Sequence, residues 1–99
     1  MKNIEIKKEI LDKIKFSDEY NIYVWAWCER DLVWGEIALE IDGDFEEFFS
    51  IDKIEYDKSA DNLTADELKE IKKELKKTYK YLDKHFNNVK IEEEIQWVW

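Results

Sequence analysis

Residues 20–41 read YNIYVWAWCERDLVWGEIALEI. Two runs, 20–29 and 32–41, alternate apolar and other residues with a period of two and are rich in β-branched and aromatic side chains. Both features are strand signals. A two-residue loop at Arg30-Asp31 sets Glu29 opposite Leu32, Trp27 opposite Trp34, Val24 opposite Ile37 and Ile22 opposite Leu39. One face of this hairpin then holds Ile22, Val24, Ala26, Cys28, Val33, Gly35, Ile37, Leu39 and Ile41. The other holds Tyr23, Trp25, Trp27, Trp34, Glu36, Ala38 and Glu40. A one-residue slip would exchange the two sets, so this sorting supports the register. Arg-Asp is not a favoured pair for a primed turn, and a longer loop is the alternative.

Downstream, Asp42-Gly43-Asp44 is a stronger turn signal, because Asp-Gly suits a primed two-residue turn. A third strand follows from about Phe45 to Tyr56. Its alternation breaks at the adjacent Phe48 and Phe49, where a bulge is expected. A two-residue turn places Phe49 and Ile51 on the tryptophan face; a three-residue turn places Phe48 there. Residues 57–63 (DKSADNL) are a polar loop. Thr64 and Glu67 then fit a capping box, with Leu63 and Leu68 as a hydrophobic staple. The stripe Leu68, Ile71, Leu75, Tyr79, Leu82, Phe86 predicts a helix of about 23 residues, roughly 35 Å long, ending near Asn87-Asn88. Residues 90–99 alternate again through Ile91, Ile95, Trp97 and Trp99, a final strand expected to dock on the sheet. Upstream, Ile6, Ile10 and Ile14 with Leu11 predict a short amphipathic helix over 3–15.

These elements give an α+β fold in a single domain over 1–99. The order is α-β-β-β-α-β, with a mainly antiparallel sheet packed on one long helix in the C-terminal half. Apolar residues make up 44% of the 99-residue chain and aromatics 15%, enough for a packed core despite 41% charged residues. No segment approaches the roughly 20 apolar residues of a membrane span, and the N-terminus lacks a signal-peptide core. The single Cys28 has no internal disulfide partner, and a cytoplasmic location is expected.

The net charge of −9 is unevenly spread. Residues 16–63 hold fourteen acids against three bases, whereas 64–89 hold seven lysines against five acids. The strand-bearing part is therefore strongly anionic, and the helices are mildly cationic. Such a field repels nucleic acid and attracts basic partners.

Catalytic signals are weak. His85, late in the long helix, has no nucleophile at a spacing that suggests pairing, and Cys28 falls on the inward strand face. One His and one Cys do not make a usual zinc site. Asp42, Asp44 and Glu46 have the spacing of a calcium loop, but Glu47 and Lys53 stand where Gly and Glu are required. No glycine-rich phosphate loop is present, with only Gly35 and Gly43 available. Neither a cofactor nor an enzymatic activity is expected.

The two-faced apolarity of the hairpin needs a reason, since one long helix covers one face. The short first helix and the terminal strand can close over the second face; the face can pair with its copy in a homodimer; or it can be an exposed docking surface. In the last case Tyr23, Trp25, Trp27 and Trp34 are the contact residues, with Glu29, Glu36, Glu40 and Glu47 around them. Asp42, Asp44 and Glu46 lie along the adjoining turn and strand. Trp and Tyr are preferred anchors, and rim carboxylates steer a basic partner. Base stacking on such a face requires surrounding positive charge, which is missing. In overall character the chain resembles the small acidic α+β proteins that include anti-CRISPR and anti-restriction proteins of phages and nuclease immunity proteins. Its fifteen Lys to one Arg suit an AT-rich bacterial or phage genome. That likeness implies an inhibitor that sequesters a basic, nucleic-acid-handling enzyme, with acidic groups mimicking phosphates. A homodimeric adaptor and a small-ligand pocket on the aromatic face are the alternatives.

Overall fold

In the computed structural model, residues 3–98 are described. The hairpin of β1 (Tyr20–Glu29) and β2 (Leu32–Ile41) has the expected register throughout, from Tyr20 opposite Ile41 to Glu29 opposite Leu32. Its loop is two residues long. Arg30 takes φ 53°, a left-handed geometry that lets the chain reverse so tightly. The next turn has positive φ at both Asp42 (52°) and Gly43 (92°), the pattern of a primed turn.

Strand β3 (Asp44–Tyr56) begins in register, with Asp44 opposite Ile41 and Phe45 opposite Glu40. Leu39 then pairs with Glu47, leaving Glu46 as an extra residue. One inserted residue reverses the facing of everything after it. Phe49 and Ile51, expected on the tryptophan face, therefore turn into the core, at 6% and 8% exposure. Phe45 and Phe48 take the outer places instead. A second irregularity follows, because Ile51 pairs with Gly35 but Glu55 pairs with Trp34. The intervening bend drops the Ile54 side chain onto Gly35. A Cβ on Gly35 would lie 2.8 Å from both Cβ and Cδ1 of Ile54.

The inner face of the sheet is the core. Ile22, Val24, Ala26, Cys28, Val33, Ile37 and Leu39 form one cluster with Ile6, Ile10 and Ile14 of α1 (Asn3–Ile14). The same cluster takes in Ile71, Leu75 and Leu82 of α2 (Ala65–Asp83) and Phe86 beyond it. Both helices thus lie on one side of the sheet, which rules out α1 as a cover for the second face. The helix is shorter than the apolar stripe suggested, ending at Asp83. Phe86 is still buried, because its amide bonds back to the Leu82 carbonyl (2.9 Å) and keeps the chain coiled. Asn88 then takes φ 57° and redirects the chain, and Leu68 is 38% exposed.

The helix start is as expected. Thr64 Oγ1 accepts the Glu67 amide (3.1 Å), and Glu67 Oε1 accepts the Thr64 amide (2.9 Å). A single 3-10 turn, Ala60–Asn62, precedes it in the polar loop. Its first amide donates to Cys28 Sγ at 3.4 Å, so the buried thiol has a structural partner. The final strand differs from expectation. Two short pieces, β4 (Val89–Ile91) and β5 (Gln96–Trp97), both run parallel to β1, making a mixed sheet in the order β3-β2-β1-β4. Trp97 packs toward the core, and Trp99 lies outside the described residues. Among the described residues no helix is long and apolar enough to cross a membrane.

Gly35→Ala should destabilise the protein by about 1–3 kcal/mol in urea unfolding, as overpacking does. Ile54→Val in the same chain should restore part of that loss. A neutral Gly35→Ala contradicts the tight contact. A second expectation concerns pH. Lys58, 2.8 Å away, and then the Thr64 amide hold the Glu67 carboxyl below its ordinary value. Its contribution is therefore complete above the ordinary carboxylate range and fades as pH falls through the lowered value. The destabilisation caused by Glu67→Gln should shrink between about pH 7 and about pH 3. A loss that does not change with pH contradicts the assignment.

Candidate interaction surface

With both helices on the inner side, the outer face of the sheet is left uncovered by any described element. Strand pairing brings Tyr23, Trp25 and Trp27 of β1 beside Trp34, Glu36 and Ala38 of β2, and Ala38 in turn beside Phe48 of β3. The rings form a connected layer. Tyr23 stacks on Trp25, with centroids 4.8 Å apart and an interplanar angle of 19°. Trp27 meets Trp25 edge to face at 5.4 Å. Phe45 lies two strands from β1, a backbone separation of roughly 10 Å. It still reaches within 5.8 Å of Tyr23 and 6.0 Å of Trp25, and stacks on Phe48 at 6.0 Å. Ala38 makes this crossing feasible. It sits between Tyr23 and Phe48, is fully buried, and lies outside the main core, so the rings are its cover. Such ring pairs add about 0.5–1.5 kcal/mol each beyond burial. The outermost rings remain open to solvent, Phe45 at 47% and Phe48 at 55%.

Glu36 is the polar centre of the layer. Its two oxygens accept the indole N–H of Trp25 (2.9 Å) and of Trp34 (3.1 Å). One carboxylate thereby fixes indoles from two strands. The Trp27 indole N–H is buried with no hydrogen-bond partner. Glu40 accepts from Asn21 Nδ2 (3.0 Å), and Asp42 accepts from Ser17 Oγ (3.1 Å) in the turn. Glu29 stands exposed at the far end of β1, and Asp44 and Glu46 are exposed at the turn and bulge.

Among the described residues, strand pairing puts Glu29, Glu36, Glu40 and Glu55 on this face with Lys90, whose ammonium sits 5.5 Å from the Tyr23 ring. Among the described residues none of these four carboxylates is in an ion pair. The bridges lie elsewhere: Lys72–Glu94, Lys76–Glu93, Lys58–Glu67 and Lys13–Glu47. The last corrects the sequence reading of Glu47. The bulge places it opposite inward-facing Leu39, on the helix side, where it holds Lys13 at 2.9 Å and raises the pKa of that lysine. Phe48, which only a three-residue turn was expected to place here, reaches the outer face through the bulge instead, and Phe45, Glu55 and Lys90 join it without having been read there. No residue type marks Glu46 as the inserted position, and nothing local marks the last strand as parallel.

On the opposite side of the molecule, Lys69, Lys72, Lys73, Lys76, Lys77 and Lys80 line the outer surface of α2. His85 is exposed with its ring edge-on to Tyr81 at 4.9 Å. Among the described residues no three His, Cys, Asp or Glu side chains converge on a metal-sized site. No family model, curated protein or solved structure matches the chain.

Replacing Glu36 by Leu leaves the Trp25 and Trp34 N–H groups without an acceptor. The expected loss is about 1–3 kcal/mol in urea unfolding, the usual cost of stranding partly buried donors. The indole N–H resonances of both residues should move with it. Unchanged stability and unmoved indole signals would show that the carboxylate does not organise the layer.

Proposed function

We propose that the protein is a non-catalytic binding module that captures a basic protein on the outer face of its sheet. The observation that carries this reading is the connected aromatic layer, open at Phe45 and Phe48 and bordered by carboxylates that form no ion pair among the described residues. Large rings held rigid by mutual stacking lose little entropy on binding and supply desolvation energy. The surrounding carboxylates supply steering and orientation. A partner that handles nucleic acid presents the matching basic groove, and the acidic face would occupy the place of phosphates. The protein then acts as an inhibitor or sequestering agent, in the manner of anti-CRISPR, anti-restriction or immunity proteins. The lysines of α2 face away from the bound partner and do not oppose docking.

A homodimer through this face fits the charges poorly. A two-fold pairing sets the same patch against itself, so Glu29, Glu40 and Glu55 would meet like charges.

The test is capture from a bacterial lysate by immobilised protein, comparing the parent with Phe48→Glu, a change at a half-exposed ring. The parent should retain one or more basic proteins at about 0.05 M salt and release them by about 0.5 M, as screening of exposed charges requires. Phe48→Glu should not retain them. Retention of only acidic proteins, or equal retention by the variant, would refute the reading.

A further inference from the structure

The middle of the outer face is hollow. A pocket of about 460 Å³ opens there, walled by Trp25, Trp27, Phe45 and Phe48, with Glu36 and Glu92 at its sides. Its construction follows from the sheet. Trp25 and Trp27 rise from β1, the central strand. Glu36 stands on β2, to one side of β1. Glu92 stands on the other side, in the interruption between β4 and β5. There the pairing jumps from Val24–Ile91 to Trp27–Gln96, and the Glu92 amide donates to the Val24 carbonyl (3.0 Å). That jump keeps Glu92 beside the indoles. Gln96 also borders the pocket, and its amide nitrogen is engaged with the Glu94 carbonyl (3.0 Å), leaving its oxygen as an acceptor.

We propose that this pocket is the anchor site for a single arginine side chain of the partner. The inference rests on the reading of the face as a surface for a basic protein. Ring faces carry negative quadrupole potential and attract a cation placed over them. A guanidinium is planar and weakly hydrated, stacks on indole, and carries five N–H donors in a fixed fork. Acceptors standing on both sides of an aromatic-walled pocket match that fork. A lysine ammonium is a strongly hydrated point charge and gains less from stacking against aromatic walls. A trimethylated ammonium has no N–H donor and would leave both carboxylates unanswered. Glu36 is already oriented by two indole donors, so the site is organised before the ligand arrives.

The test uses the full chain with ¹⁵N label and three probes: N-acetyl-arginine methylamide, its lysine counterpart, and the trimethyl-lysine counterpart. The indole N–H signals of Trp25 and Trp27 report on the pocket. The arginine probe should shift both with millimolar affinity, and the other two should bind at least roughly threefold more weakly. Glu92→Gln, a change at an exposed side chain, should weaken the arginine probe by roughly threefold to tenfold. Equal response to lysine, preference for trimethyl-lysine, insensitivity to Glu92→Gln, or indole signals that do not move would each overturn the proposal. If the indoles stay still while a basic protein still needs Phe48 for capture, only the arginine anchor fails. If both experiments fail, the reading of the face fails with it.

Discussion

Strand β1 is hydrogen-bonded on both flanks, to β2 on one side and to β4 and β5 on the other, and its alternate side chains leave in opposite directions. Both sets are large and apolar. Ile22, Val24, Ala26 and Cys28 go one way, and Tyr23, Trp25 and Trp27 go the other. A chain of this length supplies two helices, and both are drawn to the aliphatic side. Ile6, Ile10 and Ile14 of the first helix and Ile71, Leu75 and Leu82 of the second are buried there. The aromatic side must then cover itself. It does so by laying rings over one another and over Ala38, and by tying two indoles to Glu36. The outer layer is thus a consequence of one central strand with two apolar faces.

Much of this was legible because the physics is local. Period-two alternation through Trp27 and Trp34 allows one hairpin register that separates the faces. Thr64 and Glu67 spell a helix start whose hydrogen bonds are made within four residues. What was not legible depends on distant partners. The apolar stripe on α1 demands a surface but does not say which side of the sheet provides it. Phe86 continues the helical spacing of Ile71, Leu75 and Leu82, yet it reaches the core after the helix has ended. The adjacent Phe48 and Phe49 announced a break in alternation. Its position at Glu46 is set by the fit of β3 against β2, and it turns Phe49 inward and Phe48 outward, while Phe45, ahead of it, keeps its outer place. Glu47 follows from the same bulge. One inserted residue carried it from the aromatic margin to an ion pair with Lys13.

The charge asymmetry has a comparable origin. The lysines of α2 occupy its solvent side because its apolar stripe is committed to the sheet, so they project away from the aromatic face. Two of them, Lys72 and Lys76, are paired with Glu94 and Glu93 in the C-terminal segment. Among the described residues the outer-face carboxylates form no ion pair with that helix, and Lys90 is the cation that strand pairing sets beside them. An acidic, aromatic surface and a basic ridge on opposite sides give the molecule a polarity that orients an approaching charged partner before contact.

The central claim is that the aromatic layer holding the half-buried Trp25, Trp27 and Trp34 is covered by no other described element and lies in negative potential. Fluorescence quenching by ions of opposite charge tests it most directly, in a Trp97→Phe, Trp99→Phe background where only Trp25, Trp27 and Trp34 report. Caesium should be concentrated at the face and quench efficiently, while iodide at the same ionic strength should quench several-fold less. Equal quenching by both ions, stronger quenching by iodide, or indoles shielded from both would contradict the account.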